Sequence, residues 1–333
     1  MLVILSDIHL TDESTATNVH GTAFSGVLSQ EILGVATQKG AKEIHVVLLG
    51  DIFDLVRTDY WLKLNYEERP WNGELSPDTG MNLDMNVEQH YLNVLDKIIG
   101  TPSGKQFFKS LDSLKPHLKK TDGVEIPVKI SYVVGNHDRV FNNFSSLREK
   151  IRSQLKNIDA FEFTKFIQLH EYAVLARHGH EWDVNNHGYE FLKKVLRKKS
   201  KVDRFDDSCY QVQTIGEVIT AELMSGLIHR INNSTEIKEG LRQCVEHPDP
   251  VKHLMQINNI RPMTDVFLWL EWFGSGQGSK LDKTIKAGLI DKVKESLTEV
   301  LNTRLAQTWD KLVPEIWLFR GDITDRLEQV LEF

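Results

Sequence analysis

Four segments of this chain share one design, in which an apolar run with the pattern of a β-strand leads directly into carboxylate, amide or imidazole side chains. The central run, 127–134, is rich in β-branched residues and ends in Gly135-Asn136-His137-Asp138,. The other three runs are 2–5 before Asp7 and His9, 44–49 before Asp51 and Asp54, and 172–177 before His178 and His180. Open α/β sheets bind their ligands at the carboxyl ends of their strands. The sequence therefore predicts an α/β fold with a ligand site at one edge of the sheet.

The order of the predicted elements indicates how the chain is organised. Residues 25–39 have apolar positions at helical spacing before Gly40, and strands lie on both sides, which predicts a parallel strand pair with a crossover helix. Further helices are predicted over 87–99, 105–119 and 145–156, and two β segments over 161–169 and 172–177. Helical patterns dominate afterwards, over 189–199, 212–231, 264–273, 285–305 and 324–331. We therefore place a boundary near residue 183, with an α/β core over 1–183 and a helical cap or insertion region over 184–333.

Composition narrows the class of protein. A formal net charge of −7 argues against a general nucleic-acid surface,. Cys209 and Cys244 are the only cysteines among 333 residues, so no disulfide framework or cysteine-based zinc site is expected,. No apolar run approaches the roughly 18 residues that span a bilayer, and the short apolar start lacks a basic leader. A cytoplasmic protein without a membrane span is the simplest interpretation.

Three other stretches carry less functional information. The connection 57–86 is long and rich in aromatic residues, and we interpret it as a loop that overhangs the predicted site,. The lysines and arginines within 193–201 are more typical of a solvated helix face than of a nucleic-acid site, so a nuclease is the least favoured function,. The glycine-rich run 274–280 lacks the spacing and the preceding strand of a phosphate-binding loop,.

The side chains at the strand ends point to metal chemistry. Mixed oxygen and nitrogen ligands suit manganese, iron, zinc or cobalt better than calcium. Two such ions about 3.5–4 Å apart can share one carboxylate and one hydroxide, which becomes a nucleophile at neutral pH. They also neutralise charge on a phosphoryl group, and a nearby imidazole can protonate the leaving oxygen. A phosphohydrolase with two divalent ions, manganese first among the four metals, is thus expected.

The motifs taken together resemble the calcineurin-like metallophosphoesterase superfamily over residues 1–183. They are Asp7-x-His9, Gly50-Asp51-x-x-Asp54, Gly135-Asn136-His137-Asp138 and His178-Gly179-His180. The resemblance implies a two-sheet sandwich flanked by helices. Within the superfamily, the last motif and the following helices look most like the bacterial branch that includes the lipid A pathway pyrophosphatases.

The resemblance also implies roles for individual residues. Asp7 and His9 would bind the first ion, Asp51 would bridge both ions, and Asn136 and His178 would bind the second. His137 would be the proton donor or transition-state stabiliser, and Asp138 would orient its neighbours without binding metal. Arg57 and Arg139 would contact the phosphate of a substrate whose identity the sequence does not give.

One motif of the superfamily, Gly-His-x-His, is absent from this sequence. Either the chain ends within an inserted helical region before that motif, or His180 or His187 takes its place, or the site is degenerate and holds one ion or none. The first two explanations are favoured jointly because the other ligand positions and His137 are present. The leading hypothesis is hydrolysis of a phosphomonoester, phosphodiester or pyrophosphate bond. The alternative is a non-catalytic scaffold whose helical region binds a protein partner.

Overall fold

The computed structural model describes residues 1–74, 86–117, 125–195, 202–244, 254, 255, 257 and 283–310. Its centre is a four-stranded, fully parallel sheet in the order β1-β2-β3-β4. The strands are β1 (Leu2–Leu5), β2 (Ile44–Leu49), β3 (Val128–Val133) and β4 (Ala160–Thr164). Val47 of β2 pairs with Ile4 on one side and with Ser131 on the other. The predicted α/β class and the first three strands are confirmed, and their carboxyl ends lie at one edge of the sheet.

The predicted β segment 161–169 is wrong as a single element. It divides into β4, which is the fourth parallel strand, and β5 (Ile167–Leu169), which pairs antiparallel with β6 (Val174–Ala176). The β5–β6 pair packs on one face of the large sheet, where Ile167 meets Val47 and Val133. A continuous apolar pattern does not reveal this change of partner, because pairing depends on the neighbouring strands.

Helices form most of the remaining regular secondary structure in the described ranges. A continuous helical segment after β1 comprises α1 (Gly21–Phe24), a π-helical turn (Ser25–Glu31) and α2 (Ile32–Gln38). Between β2 and β3 lie α3 (Val87–Gly100), α4 (Pro102–Asp112) and α5 (Leu114–His117), and between β3 and β4 lies α6 (Ser145–Ser153). These helices confirm the patterns predicted over 25–39, 87–99, 105–117 and 145–156, although the third is interrupted at Ser113. Residues 118 and 119 of the third predicted helix lie outside the described residues.

The helical region after residue 183 begins with a π-helical turn (Phe191–Val195) and α7 (Asp207–Gln211). It continues through α8 (Ile215–Val218), a π-helical turn (Ile219–Ser225), α9 (Gly226–Asn233) and α10 (Thr235–Cys244). The last described helices are α11 (Lys283–Asn302) and α12 (Arg304–Asp310). The helices predicted over 264–273 and 324–331, the glycine-rich run 274–280 and most of the basic cluster lie outside the described residues.

One hydrophobic cluster crosses the predicted boundary at residue 183. Phe53, Tyr132 and Phe141 from the α/β part and Ile215 and Leu305 from the helical part are all buried within it. Phe53, two residues after Asp51, stacks on Tyr132 with ring centroids 6.3 Å apart. The loop that carries Asp51 is therefore anchored to the core by packed aromatic rings. Within the described ranges, no helix is long and apolar enough to cross a bilayer.

Candidate metal centre

The turns that follow β1 and β2 lie side by side beyond the sheet. The Asp7 amide donates to the Gly50 carbonyl at 3.1 Å, and the His9 amide donates to the Asp51 carbonyl at 2.8 Å. Farther along, Leu10 forms an isolated parallel bridge with Phe53. Backbone hydrogen bonds thus bring Asp7, His9 and Asp51 together before any side-chain contact is considered.

Two glycines leave the space that the polar side chains occupy. Gly50 has a φ of +77°, and a Cβ atom there would overlap the ring of His178. A Cβ atom on Gly135 would overlap the carboxylate and the backbone nitrogen of Asp51. Residues with no side chain are therefore required where the β2, β3 and β6 ends approach each other.

Asp51 is the shared element of the site. Its Oδ2 lies 3.6 Å from His9 Nε2 and 3.3 Å from His178 Nε2. His9 Nε2 is also 4.0 Å from Asp7 Oδ1, and His178 Nε2 is 3.3 Å from Asn136 Oδ1. The structure thus brings together all five residues that the resemblance assigned to the two ions, with one oxygen of Asp51 between the two halves.

The side chains gathered around Asp51 are of the types that bind metal ions. Atoms that each lie about 2.0–2.2 Å from one ion are roughly 3–4 Å from one another, as the atoms around Asp51 Oδ2 are. His178 also places its Nδ1 3.1 Å from the Leu49 carbonyl, the kind of contact that orients a metal-binding imidazole,. Among the described residues, two groups each place three possible ligand atoms within 4.8 Å of one another: Asp7, His9 and Asp51, and His9, Asp54 and His137.

The second of these groups has the geometry of a hydrogen-bonded cluster. Asp54 is fully buried, and its two oxygens lie 3.0 Å from His9 Nδ1 and 2.9 Å from His137 Nδ1. The contacts leave the Nε2 atom of each ring free for other partners. Asp54 therefore orients both rings, a role that the sequence analysis did not assign although the residue belongs to the second motif.

Three of the candidate ligands have unusual backbone conformations. Asp7, His9 and Asp51 have φ values of 54°, 49° and 52°, in the left-handed region that non-glycine residues rarely adopt,. Such conformations cost of order 1–3 kcal/mol each and cluster at functional sites. Their occurrence at three of the five gathered residues supports a functional site at this edge.

The electrostatic environment is dominated by the buried carboxylates. Burial opposes ionisation of Asp51 and Asp54, but the nearby imidazoles, His137 first, and for Asp54 also the Arg57 guanidinium, outweigh it and lower the pKa of both. Burial lowers the pKa of His137, but Asp54 and Asp51 outweigh it, so the net pKa is raised. The same balance between burial and Asp51 raises the pKa of His178 to about 9.

Asp138 holds the turn after β3 against the turn after β2. Its Oδ1 accepts from the Gly135 amide at 2.6 Å, and its Oδ2 accepts from the Ile52 amide at 2.9 Å and the Tyr132 hydroxyl at 2.5 Å. The Asp51 carboxylate in turn accepts from the His137 amide at 2.9 Å. Burial, and then the charge of Asp51, raise the pKa of Asp138 to about 6. These contacts agree with the orienting role given to Asp138.

The two arginines predicted to contact phosphate occupy different surroundings. Arg57 lies at the centre, and its Nε is 3.3 Å from Asp54 Oδ2, an ion pair without good hydrogen-bond direction. Arg139 is only 2% exposed, and its guanidinium donates to Glu217 and to the Tyr210 carbonyl. The phosphate contact of Arg139 stays a prediction, and the contacts present tie it to the helical region.

The two histidines considered as replacements for the absent motif form a second, inner group. The rings of His178 and His180 have centroids 5.4 Å apart, and those of His180 and His187 are 5.5 Å apart. Within the described part of the chain, no ring nitrogen of His180 or His187 has a hydrogen-bond partner. Burial first, and then neighbouring charged groups, lower the pKa of His180 to about 3 and that of His187 to about 4. His180, predicted as a metal ligand, is thus next to the gathered residues without joining either group.

Comparisons with protein-family models, with curated proteins and with solved structures find no match for this chain.

Proposed function

We propose that this protein is a metal-dependent phosphohydrolase of the calcineurin-like metallophosphoesterase type. The observation that carries the proposal is the position of Asp51 Oδ2, within 3.6 Å of His9 Nε2 and 3.3 Å of His178 Nε2. A carboxylate between two sets of nitrogen and oxygen ligands is the arrangement that two ions sharing one bridge require. The four motifs and their order support the same family and its two-sheet sandwich.

Asp7, His9 and Asp51 would hold the first ion, and Asp51, Asn136 and His178 would hold the second. Manganese is the favoured metal, with iron, zinc or cobalt as alternatives. Divalent ions held by these residues would supply activated water and would neutralise charge on a phosphoryl group. The substrate class is a phosphomonoester, a phosphodiester or a pyrophosphate.

The chain's own residues provide the proton and its orientation. Asp54 Oδ1 accepts from His137 Nδ1, so the opposite nitrogen, Nε2, is the one available to a leaving oxygen. The His137 side chain is 11% exposed, so part of the ring is accessible to solvent. Arg57, which is paired with Asp54 beside His137, would contact the phosphate of the substrate.

Two measurements on the purified protein test this function. With manganese added, we expect turnover of p-nitrophenyl phosphate or bis(p-nitrophenyl) phosphate, and calorimetry should record ion binding. His137→Ala should retain ion binding and lose most of the activity, since general acid catalysis contributes about 10²–10⁴-fold. Asp51→Asn should lose both.

The result also separates the two functional classes. Failure to turn over either substrate, together with no detectable ion binding, would rule out the proposed function. Ion binding without turnover by the wild type would favour the non-catalytic scaffold.

A further inference from the structure

The turn that carries His137 is held from the helical region of the chain. Arg139 follows His137-Asp138 directly, and its guanidinium pairs with both carboxylate oxygens of Glu217, with Nη2 donating to Oε2 at 2.9 Å. Its Nη1 donates to the Tyr210 carbonyl at 3.0 Å. Both side chains of the ion pair are at most 5% exposed. A two-point contact between arginine and carboxylate fixes direction as well as distance.

Glu217 is itself fixed by the start of α8. Its Oε2 accepts from the Thr214 amide at 3.2 Å, and its own amide donates to Thr214 Oγ1 at 3.4 Å. These reciprocal bonds form a capping box at the helix N-terminus,. The carboxylate that binds Arg139 therefore cannot move independently of α8.

Tyr210 of α7 links the turn that carries His137 to the turn that carries His178. Its carbonyl accepts from Arg139, and its hydroxyl donates to Glu181 Oε1 at 3.0 Å. Glu181 is fully buried, and its Oε2 accepts from the Gly179 amide at 3.1 Å, directly after His178. One residue of the helical region thus contacts both the turn of His137 and the turn of His178.

We propose that Glu217 is a positioning residue which, through Arg139, fixes the His137 ring relative to Asp51. Contacts from the helical region then set the position of a catalytic side chain in the proposed metal centre. This inference rests on the proposed function for its kinetic consequence, because a displacement of about 1 Å in a reacting group can cost about 10²-fold in rate.

The chain contains a matched control for Glu217. Glu222 is also buried on the helical segment that begins with α8, and its oxygens accept from Arg69 Nη1 at 2.8 and 2.9 Å. Its partner Arg69 belongs to the loop after β2, and within the described ranges its side chain forms no hydrogen bond or ion pair with the turn of His137. Glu217→Gln and Glu222→Gln therefore each remove one buried charge, but only Glu217→Gln weakens a contact of the turn of His137.

The experiment compares steady-state kinetics and the imidazole nitrogen signals of His137 in full-length wild type, Glu217→Gln and Glu222→Gln. We expect Glu217→Gln to lower kcat about 10²-fold, with KM within about twofold and shifted His137 signals. Glu222→Gln should leave kcat and the His137 signals unchanged. Equal effects of the two variants on kcat and on the signals, or no effect of Glu217→Gln, would overturn the inference.

A second variant keeps the test decisive if Glu217→Gln does not fold. Arg139→Met combined with Glu217→Leu leaves no buried charge unpaired, and such replacements of an ion pair are often tolerated. The His137 signals alone are compared in this variant, since Arg139 is also a predicted phosphate contact. If the wild type hydrolyses no phosphoester, the proposed function fails, while shifted or unshifted His137 signals still decide whether Glu217 positions the ring.

Discussion

At the scale of single residues, the centre depends on how closely backbone and side chains approach each other. Gly135 illustrates this, because its α-carbon faces the Asp51 carboxylate with no room for a methyl group. The sequence shows that position 135 is a glycine, but the reason for it, the close approach of the turn that carries Asp51, is seen only in the structure. Asp54 is a similar case, since its two histidine partners lie 45 and 83 positions away in the chain.

Substitution of Gly135 should therefore disrupt ion binding. In Gly135→Ala, the added methyl group displaces the Asp51 carboxylate, and we expect cobalt or manganese affinity to fall about 10–100-fold, as when supporting residues of metal sites are changed. Calorimetric titration measures the affinity, and thermal unfolding reports the accompanying loss of stability. Gly26→Ala is the control, because no atom beyond its own turn of helix lies within 4 Å of the added methyl group. Comparable ion affinity in both variants would contradict the role assigned to Gly135.

A second prediction at the residue scale concerns Asp59, which is not among the residues of the candidate metal centre. His229 of α9, and then Lys63, lower the pKa of Asp59 to about 2, against burial, which raises it. Because the folded-state pKa is depressed, the stabilisation is present above the unfolded value of about 3.9 and is lost as pH falls towards 2.

We expect Asp59→Asn to be less stable than wild type at pH 6, with the difference shrinking as the pH falls from about 4 to 2. Urea unfolding at a series of pH values measures this. A difference that stays constant across that range would show that the charge of Asp59 does not contribute.

At the scale of elements, the strands are the part that the sequence predicts best. Their β-branched, apolar runs are local signals, and β1, β2 and β3 have the predicted positions. The segment 161–169 is the exception, because its two halves pair with different strands. In the helical region, 212–231 contains α8, a π-helical turn and α9, while α7 and α10 were not predicted. Apolar spacing detects a helical stretch, but irregular turns and short helices depend on packing.

The connection after β2 is joined to the helical region by a buried ion pair. Glu222 is fully buried, and it accepts from Arg69 and, at 2.7 Å, from Trp71 Nε1. Glu222→Gln should destabilise the fold by about 3–5 kcal/mol, because it leaves Arg69 without a charged partner. Arg69→Met combined with Glu222→Leu should recover part of that loss. Denaturant unfolding of the three proteins measures the differences, and equal stability of the single and double variants would refute this interpretation.

At the scale of the whole molecule, the two predicted regions share buried contacts. The cluster that includes Phe141 also includes Ile215 and Leu305, and the Leu305 amide donates to the Trp71 carbonyl at 3.2 Å. The predicted boundary near residue 183 separates an α/β pattern from a helical pattern in the sequence. In the structure, however, the two regions are joined by both apolar contacts and hydrogen bonds. The sequence pattern could not indicate this, because helical periodicity gives the buried face of a helix without giving its partner.

We expect the full chain to unfold in one cooperative transition, with fluorescence and circular dichroism giving the same midpoint. A fragment of residues 1–183 should be unstable, since it lacks the partners of Arg139 and of the shared cluster. Binding of a hydrophobic dye and loss of near-ultraviolet circular dichroism in the fragment would be the expected signs. A fragment that unfolds cooperatively at the midpoint of the full chain would contradict this prediction.

The sequence by itself determined which metal-binding types of side chain are present and which predicted strand each of them follows. Asp7, His9, Asp51, Asn136 and His178 follow apolar runs, and that relation is local, so it can be read from the chain. Only the tertiary structure decided that one oxygen of Asp51 lies between His9 and His178, that Asp54 orients two rings, and that Arg139 pairs with Glu217. These contacts join residues far apart in sequence, and they are fixed by parallel strand register, by glycines that permit close approach and by the shared core.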